Sequence, residues 1–374
     1  MPDSPFILMV AGEASGDQAA APVVAALRRE YPAARILAVG GPRMKDAGAE
    51  ILFDASELSV MGFAEVLRHL PRLLKRRRQV KSLLRRERPD LFLPVDAPGF
   101  NLPLARLAKS LHIPTLYYVA PQVWAWGEGR LKAMRRDLAG LAVILPFEED
   151  WFAQRGIPAR FVGHPLAGKF ADLPEPEGEP RRIGLMPGSR VQEISRHLPR
   201  LLEASAKLLE KHEGLEFSIL EADSITDAVY AGYLNKIEYP VKCFRGNAQS
   251  FFAQQDLLWA SSGTATLEAA LAGRPMVVLY RTGRVNYQLA RRLISLKNIA
   301  LVNLVAGREL VPELIQHGAE SANLATAMAV LLLDDETRER QRSGFAEIRQ
   351  RLGSLEPGVE VAKMAREILE SHGR

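Results

Sequence analysis

Short apolar runs alternate with helix-length segments along the whole chain, and this rhythm constrains the fold more than any other feature. The first half carries five such runs: Phe6–Ala11, Ile36–Val39, Leu91–Val95, Thr115–Val119 and Leu141–Leu145. A second series begins at Arg182 and continues with Leu215–Leu220, Asp256–Ala260 and Met276–Tyr280. Runs that are apolar throughout and separated by helices are typical of parallel sheets covered on both faces. The pattern predicts an α/β protein with two doubly wound parallel-sheet domains.

A stretch rich in proline and acid, residues 171–181, separates the two series. It shows neither helical nor strand periodicity, as is typical of linkers. We therefore predict a first domain over residues 1–170, a linker over 171–181 and a second domain over 182–356. The two domains are expected to face each other across a central cleft.

Composition limits the cellular location. The chain has 374 residues, of which 47% are hydrophobic and 25% charged, as in soluble globular proteins. Its single cysteine excludes an intrachain disulfide and a cysteine-based metal cage, and fits a reducing cytoplasm. The N-terminus lacks the positive charge of a signal peptide, and no apolar run approaches the roughly 18 residues of a spanning helix. We expect a cytoplasmic protein.

Positive charge is concentrated in one segment. Ten Lys or Arg residues and one acid lie between Arg68 and Arg88, a local charge of +9, whereas the whole chain carries 49 − 44 = +5. A general nucleic-acid binder would be basic over a wider surface. We therefore predict no nucleic-acid partner.

The same segment carries apolar residues at helical spacing on both sides of an expected break at Pro71. They either pack on the sheet, with the cations in solvent, or rest on an anionic bilayer, where each nearby cation contributes about 1 kcal/mol. The candidate membrane-facing residues are Val66, Leu67, Leu70, Leu73 and Leu74.

The run Ile183–Met186 stops at Pro187-Gly188 and resumes as a helix-like segment after Ser189-Arg190. A strand that turns sharply into a helix presents unpaired N–H groups, and glycine lets a ligand approach them. Such a corner suits a phosphate, which Ser189 and the forked donors of Arg190 could hold. An ordinary turn with a solvated arginine has the same pattern.

A second corner, Ser262-Gly263-Thr264, follows an apolar run and precedes a helix. Glu268 lies four residues after Thr264, on the same helical face. Phosphate at the helix start and a ribose on Glu268 would together suit a nucleoside diphosphate. A capped helix with a solvated glutamate is the alternative. Two corners in one domain favour a nucleotide site.

In the first domain, polar residues follow several predicted strands, where ligands bind in open α/β sheets. They are Glu13, Ser15 and Asp17 after the first strand, Asp96 after the third and Gln122 after the fourth. A carboxylate at such a strand end can accept a proton from a hydroxyl or orient a base that does. It can equally cap a turn.

Cofactor and metal signatures are missing. No G-x-G-x-x-G follows a strand and no Asp-x-Asp occurs, so we expect no cofactor and no tightly held metal. Protein groups would then have to stabilise the negative charge that develops on a departing diphosphate. One preorganised donor is worth roughly 3–4 kcal/mol of barrier against about 0.3–1 kcal/mol for a helix dipole, which favours Arg190.

Eight stretches, taken in order, resemble the lipid-A-disaccharide synthases, inverting glycosyltransferases of the GT-B type with two Rossmann-like domains. They are Ala11–Asp17 (which contains Gly16), Val60–Gly62, Asp96–Pro98, Val123–Trp126, Gly163–Pro165, Pro187–Arg190, Ser262–Thr264 and Asn303–Leu310. The chain departs from the family pattern at Gly99, where relatives carry an acid, and at Val302, where proline is frequent.

The resemblance implies transfer of 2,3-diacylglucosamine from its UDP derivative to the 6-hydroxyl of 2,3-diacylglucosamine 1-phosphate. The products would be UDP and the β-1,6-linked lipid A disaccharide 1-phosphate, a precursor of lipopolysaccharide. It implies that Asp96 is the essential acid, Arg190 the diphosphate ligand and Glu268 the ribose ligand. Asn303 and Arg308 would lie near the donor.

The resemblance also implies a metal-independent enzyme whose final helix, about residues 357–374, packs back on the first domain. It would work as a monomer or homodimer, peripherally bound to the inner face of the cytoplasmic membrane. Two alternatives stay open: a UDP-sugar 2-epimerase of similar fold, and a peripheral membrane protein that binds a nucleotide sugar without turning it over.

Overall fold

The computed structural model describes residues 4–58, 63–125, 127–176, 178–283, 287–288 and 297–372, without side-chain positions for Ala14, residues 63–69 and Glu128. The chain divides into two compact units, Met1–Pro165 with Ser354–Arg374, and Leu166–Gly353. Each unit is built on one parallel sheet with helices packed against it. The predicted α/β class with two parallel-sheet domains is confirmed.

The sheet of the first unit has seven strands in the order β3-β2-β1-β4-β5-β6-β7. These strands are β1 Phe6–Ala11, β2 Arg35–Gly40, β3 Glu50–Asp54, β4 Leu91–Val95, β5 Leu116–Tyr118, β6 Gly140–Val143 and β7 Ala159–Phe161. The central strands are buried on both faces, which explains why β1 and β4 read as continuous apolar runs. The chain adds β2 and β3 on one side of β1 and then β4 to β7 on its other side. The ends of β1 and β4 therefore lie side by side.

Helices cover both faces of this sheet. They are α1 Ala14–Glu30, α2 Pro42–Asp46, α3 Phe63–Glu87, α4 Pro98–Ser110, α5 Leu131–Asp137, α6 Pro146–Ala153 and, from the end of the chain, α14 Pro357–His372, with 3₁₀ turns at Ala55–Glu57 and Glu128–Arg130. The final helix belongs to the first unit because α14 packs on α1. Gly358 makes this possible, since a Cβ there would lie 2.6 Å from the carbonyl oxygen of Pro22.

The second unit has a six-stranded sheet in the order β10-β9-β8-β11-β12-β13. Its strands are β8 Arg182–Met186, β9 Glu216–Glu221, β10 Val241–Arg245, β11 Leu257–Ser261, β12 Met276–Tyr280 and β13 Glu313–Ile315. Its helices are α7 Val191–Leu209, α8 Asp227–Leu234, α9 Ala248–Ala253, α10 Thr264–Leu271, α11 Leu301–Ala306, α12 Ser321–Leu333 and α13 Asp335–Leu352, with a 3₁₀ turn at Gln316–Ala319. The chain adds β9 and β10 on one side of β8 and then β11 to β13 on its other side, which is the same change of side that occurs at β1 in the first unit.

The predicted break at Pro71 is wrong, because α3 runs through it as one helix of 25 residues. Proline removes one helical hydrogen bond, which packing on the sheet outweighs here. Val80 and Leu84 are fully buried, and Leu73 is partly buried against the same core. Leu73 therefore does not face outward as expected, whereas Leu70 is exposed. The side chains of Val66 and Leu67 lie outside the described residues, as does the Val60–Gly62 motif.

Candidate functional site

Three strand ends of the first unit lie next to one another and carry the polar residues predicted there. Ala11 at the end of β1 pairs with Val95 at the end of β4, and Val95 pairs with Tyr118 of β5. The turn after β1 touches the turn after β4 directly, because a Cβ on Gly12 would lie 2.2 Å from the Cβ of Ala97. Only glycine fits there. The fold thus places the turns that carry Glu13, Asp96 and Gln122 along one edge of the sheet.

Asp96 has an unusual backbone, with φ +50°, and the next residue, Ala97, follows with φ +48°. Left-handed conformations of this kind cost a non-glycine residue roughly 1–2 kcal/mol each. Two buried groups stabilise the turn: Asn101 Nδ2 donates to the Asp96 carbonyl at 2.8 Å and Tyr117 Oη donates to the same oxygen at 2.5 Å. The strained backbone and these two hydrogen bonds together fix the direction of the Asp96 carboxylate at the strand end.

Burial raises the pKa of the Asp96 carboxyl above its ordinary range, and a hydrogen bond from the Ala97 N–H opposes this in part. A raised pKa means a more basic carboxylate. General-base catalysis is most effective when the pKa of the base approaches the working pH. The environment of Asp96 therefore shifts its carboxyl toward the properties of a base.

Around the start of α1, some of the predicted ligand-binding residues are exposed, whereas one has a structural role. Glu13, the N-cap residue of α1, and Ser15 are exposed, and Gly16 is buried against Ala11. Asp17 is buried, and its carboxylate accepts hydrogen bonds from the backbone N–H groups of Gly41, Arg43 and Met44. Asp17 thus fixes the start of α2, which is a structural role.

After β5, Gln122 is exposed and Trp124 is buried. Trp124 Nε1 donates to Glu148 Oε1 at 2.9 Å, and its ring meets Phe147 edge-on at 5.2 Å. The second carboxylate oxygen of Glu148 accepts from the Leu145 N–H at 3.1 Å. Trp124 therefore anchors its loop to the start of α6. Trp126 lies outside the described residues.

Glu148 makes the stability of this loop depend on pH. Burial raises its pKa from 4.5 to about 7. Between these two pKa values the folded chain retains a proton that the unfolded chain releases. Protonated Glu148 therefore makes its full contribution to the free energy of unfolding at low pH, and this contribution is lost as the pH rises through 7. Since one pKa unit corresponds to about 1.36 kcal/mol, wild type should lose roughly 3 kcal/mol relative to Glu148→Gln. Urea unfolding of both proteins from pH 4 to 8 measures this, and a constant difference would contradict it.

In the second unit, the two corners predicted to hold phosphate are adjacent. Met186 at the end of β8 pairs with Ala260 near the end of β11. The turn Pro187–Arg190 leads into α7, and the turn Ser262–Gly263 leads into α10. Both helix starts therefore open at the same edge of one sheet, where a single diphosphate could contact them.

The loop Pro187–Arg190, which we call the phosphate loop, depends on Gly188. Its φ is +116°, and a Cβ there would lie 2.5 Å from Glu193 Oε2. Glu193 accepts from the Ser189 N–H at 3.1 Å and from Arg190 Nη1 at 3.2 Å. The side chain of Arg190 remains 59% exposed. Glu193 thus organises the two groups that were predicted to bind phosphate.

The corner on β11 is also open. Gly263 has φ +135° and directly precedes Thr264, which is exposed at the first position of α10. Ser262 is half-buried, and its Oγ donates to the Ile299 carbonyl at 3.2 Å. Glu268 is half-buried one turn into the helix and pairs with Lys169 at 3.2 Å. A ribose on Glu268 would share this carboxylate with Lys169.

Asn303 and Arg308, implied to lie near the donor, have structural partners. Asn303 is fully buried: its amide donates to the Val311 carbonyl and to Glu313, and its oxygen accepts two backbone N–H groups. Arg308 forms a two-bond pair with Glu347 at 2.8 and 3.0 Å. In this conformation Asn303 braces the loop between α11 and β13, and no surface of it is open to a ligand.

Two residues at the site escaped prediction from the sequence. Glu193 lies three residues after Arg190, the N-cap residue of α7, and an acid at that spacing is a recognised capping signal. His197 follows one turn later, fully buried, with both ring nitrogens bonded to backbone atoms. His164, in the Gly163–Pro165 stretch that resembles the family, is also buried, and burial lowers its pKa to about 4.

Among the residues that the structure describes, no three His, Cys, Asp or Glu side chains come together as metal ligands. Over the same residues, no helix is both long and apolar enough to cross a bilayer.

Known proteins resemble this chain in sequence over almost its full length. The family model described as lipid-A-disaccharide synthetase matches residues 7–366. The lipid-A-disaccharide synthase of Trichlorobacter lovleyi is 38% identical over 360 residues, covering 93% of each chain. That of Anaeromyxobacter dehalogenans (strain 2CP-C) is 40% identical over 377 residues, covering 97% of this chain and 96% of the relative.

Solved structures resemble it in fold at much lower identity. A putative UDP-N-acetylglucosamine 2-epimerase from Listeria monocytogenes has a TM-score of 0.64 at 14% identity, covering 99% of this chain and 96% of its own. Acinetobacter baumannii MurG has a TM-score of 0.58 at 14% identity, covering 97% and 99%. The epimerase likeness shows the fold alone, whereas the family model and both sequence relatives are lipid-A-disaccharide synthases. The chain therefore belongs to the lipid-A-disaccharide synthase family, whose members are glycosyltransferases.

Proposed function

We propose that this chain transfers 2,3-diacylglucosamine from UDP to the 6-hydroxyl of 2,3-diacylglucosamine 1-phosphate without a metal ion, giving the β-1,6-linked lipid A disaccharide 1-phosphate and UDP. The observation that carries the proposal is the adjacency of the phosphate loop and the Ser262–Thr264 corner, which suits a diphosphate. Family membership supports the choice of reaction. The donor would lie on the second unit and the acceptor on the first.

The reaction is a displacement at the anomeric carbon. The acceptor oxygen attacks, its proton passes to Asp96 or to a base that Asp96 orients, and the bond between the sugar and UDP breaks with its electrons on the diphosphate. Arg190 and the N–H groups of the phosphate loop would stabilise that charge. The fixed direction of Asp96 and its raised pKa support the first assignment.

Further residues would hold the substrates. We assign the diphosphate to Gly188, Ser189, Ser262, Gly263 and Thr264, and the ribose to Glu268. Glu13, Ser15, Gly16 and Gln122 would contact the acceptor sugar. We assign Asn303 an indirect role because it is buried, and Arg308 a place at the edge of the donor site.

Incubation of purified protein with both acylated sugars, followed by assay of UDP release, tests the function. Release of UDP together with disaccharide, and only when the acceptor is present, is the expected result. UDP release without acceptor would instead support hydrolysis or epimerisation. UDP-sugar binding with no turnover would support a binding protein. Activity that survives excess EDTA would support metal independence.

We further propose that the outward face of α3 rests on the cytoplasmic side of an anionic inner membrane. Residues spaced three or four apart share a helical face, and this rule places Leu70 and Leu74 in one row with Arg78, Lys81 and Arg85. Each of the five is exposed or half-buried. Other cations point elsewhere: Arg72 and Arg76 pair with Glu57 at 3.0 and 2.6 Å. The row therefore combines an apolar end with a cationic end, as membrane-surface helices do.

Changing Arg78, Lys81 and Arg85 to glutamine should release the protein from vesicles that contain anionic lipid. At about 1 kcal/mol for each cation, three substitutions remove roughly 3 kcal/mol, which is about a hundredfold in partitioning. Sedimentation with phosphatidylglycerol vesicles measures the effect. Leu333→Ser, which removes an apolar side chain that is 75% exposed on α12, is the matched control and should leave binding unchanged. Equal binding by the triple variant would refute the membrane role.

A further inference from the structure

His197 lies on α7, and its ring reaches two separate turns of the second unit. Its Nδ1 is 2.7 Å from the Pro187 carbonyl oxygen, at the start of the phosphate loop. Its Nε2 is 2.9 Å from the Arg281 backbone nitrogen, just beyond the end of β12. The ring is fully buried, so water does not compete for either bond.

The two partners fix the tautomer of the ring. A carbonyl oxygen can only accept, so Nδ1 must carry the proton. Nε2 lies 2.9 Å from the Arg281 nitrogen, which can only donate, and 3.2 Å from the Arg281 carbonyl oxygen, which can only accept. The shorter contact, to the N–H, assigns Nε2 as an acceptor, and the ring is then a neutral imidazole that donates at one end and accepts at the other. Burial lowers the pKa of His197, which agrees with the neutral form.

The same face of α7 holds the phosphate loop at further points. Glu193 lies one turn before His197, so their side chains stand above one another. Glu193 accepts from Ser189 N–H and Arg190 Nη1, while His197 donates to Pro187. The loop is therefore tied to α7 at three of its four residues.

The second contact of His197 extends this bracing to a neighbouring strand end. Arg281 follows β12, which pairs with β11, the strand that ends at the Ser262–Thr264 corner. Gln316 holds the same strand end from the other side, since its amide bonds to the backbone N–H and carbonyl of Thr282. One histidine thus links the loop after β8 to the turn after β12, across the corner between them.

We propose that His197 is a positioning residue of the donor site, which holds the phosphate loop in register with the end of β12 so that its donors meet the diphosphate of UDP. The inference rests on the proposed function, because it takes this loop as the diphosphate site. His197 itself would not touch the substrate.

Three substitutions separate the two hydrogen bonds. His197→Asn places a donor near the position of Nδ1 and keeps the Pro187 bond, whereas His197→Gln places an acceptor near Nε2 and keeps the Arg281 bond. His197→Phe fills the space and keeps neither. We expect the Kd for UDP and the KM for the donor to rise about tenfold in His197→Phe and about threefold in the other two, with the acceptor KM unchanged.

Ser205→Ala is the matched control for stability, because Ser205 is buried two turns further along α7 and donates to the Leu201 carbonyl, away from the phosphate loop. It should lower Tm without changing the Kd for UDP. Calorimetric titration with UDP gives the readout. The inference would be overturned if folded His197→Phe bound UDP with the Kd of wild type. It would also be overturned if the Asn and Gln variants bound UDP no more tightly than the Phe variant. Wild type that binds no UDP would refute the proposed function as well.

Discussion

Replacing Asp96 with asparagine is expected to lower kcat/KM about 100- to 10,000-fold, the usual range for loss of a general base, with the Kd for UDP unchanged. Asparagine is the appropriate substitution because Asp96 has φ +50°, a conformation that asparagine tolerates better than alanine. The hydrogen bonds from Asn101 and Tyr117 go to the Asp96 carbonyl and survive the change. The loss would therefore report on the carboxylate alone.

A pH profile adds a second readout for Asp96. Since burial raises the pKa of its carboxyl, wild-type activity should fall as the pH drops through a value above the ordinary aspartate range. The asparagine variant should lack that acid limb. Asp90→Asn is the matched control, because Asp90 lies at the opposite end of β4 and accepts from the Phe6 N–H. A large loss of UDP affinity in Asp96→Asn would show that Asp96 belongs to the donor site.

Replacing Arg190 with alanine is expected to lower kcat roughly 100- to 1,000-fold, as loss of a preorganised charge-stabilising donor does. Arg190 should also contribute to binding, because the diphosphate is present in bound UDP. A charged hydrogen bond is worth about 1.5–3 kcal/mol, so the Kd for UDP should rise about tenfold or more. The larger effect on kcat distinguishes stabilisation of the leaving group from simple anion binding.

Lysine at position 190 should restore little activity, because it offers a point charge and no planar fork of donors. Lys207→Ala is the control for removal of a cation, since Lys207 lies on α7, the helix that follows the phosphate loop, has a side chain 41% exposed and pairs with Glu203 at 3.4 Å. Equal losses of kcat in Arg190→Ala and Lys207→Ala would remove Arg190 from the chemistry. Both effects are measurable in the UDP-release assay.

Candidate residues at strand ends could be predicted because all strands of a parallel sheet run in the same direction. The carboxyl ends of strands share an edge, so polar residues that directly follow apolar runs are expected to meet there. Asp96 was predicted in this way, Arg190 and Thr264 from the turn of a strand into a helix, and each lies at such an edge. Gly188 was identified for its turn, and its φ of +116° explains why glycine is needed.

Burial depends on which helix packs where, and the sequence did not anticipate it. Asn303, implied to lie near the donor, is fully buried and bonds to the loop before β13, and its place near the donor stays a prediction. Leu73 was expected at a membrane, but it packs on the sheet, since α3 continues through Pro71 and its phase is set by the core. Polarity and helical spacing in a sequence do not specify which side of a helix meets a sheet.

The sequence by itself determined the class of fold and the approximate positions of nine strands, because strands buried on both faces must be apolar and turns need particular residues. It did not predict β3, β7, β10 or β13. Only the tertiary structure decided which strand ends are neighbours, since strand order depends on long-range packing. It alone revealed the role of His197, whose ring joins Pro187 to Arg281, the latter 84 positions after His197. No local pattern encodes a contact at that separation, and this contact holds the phosphate loop in place.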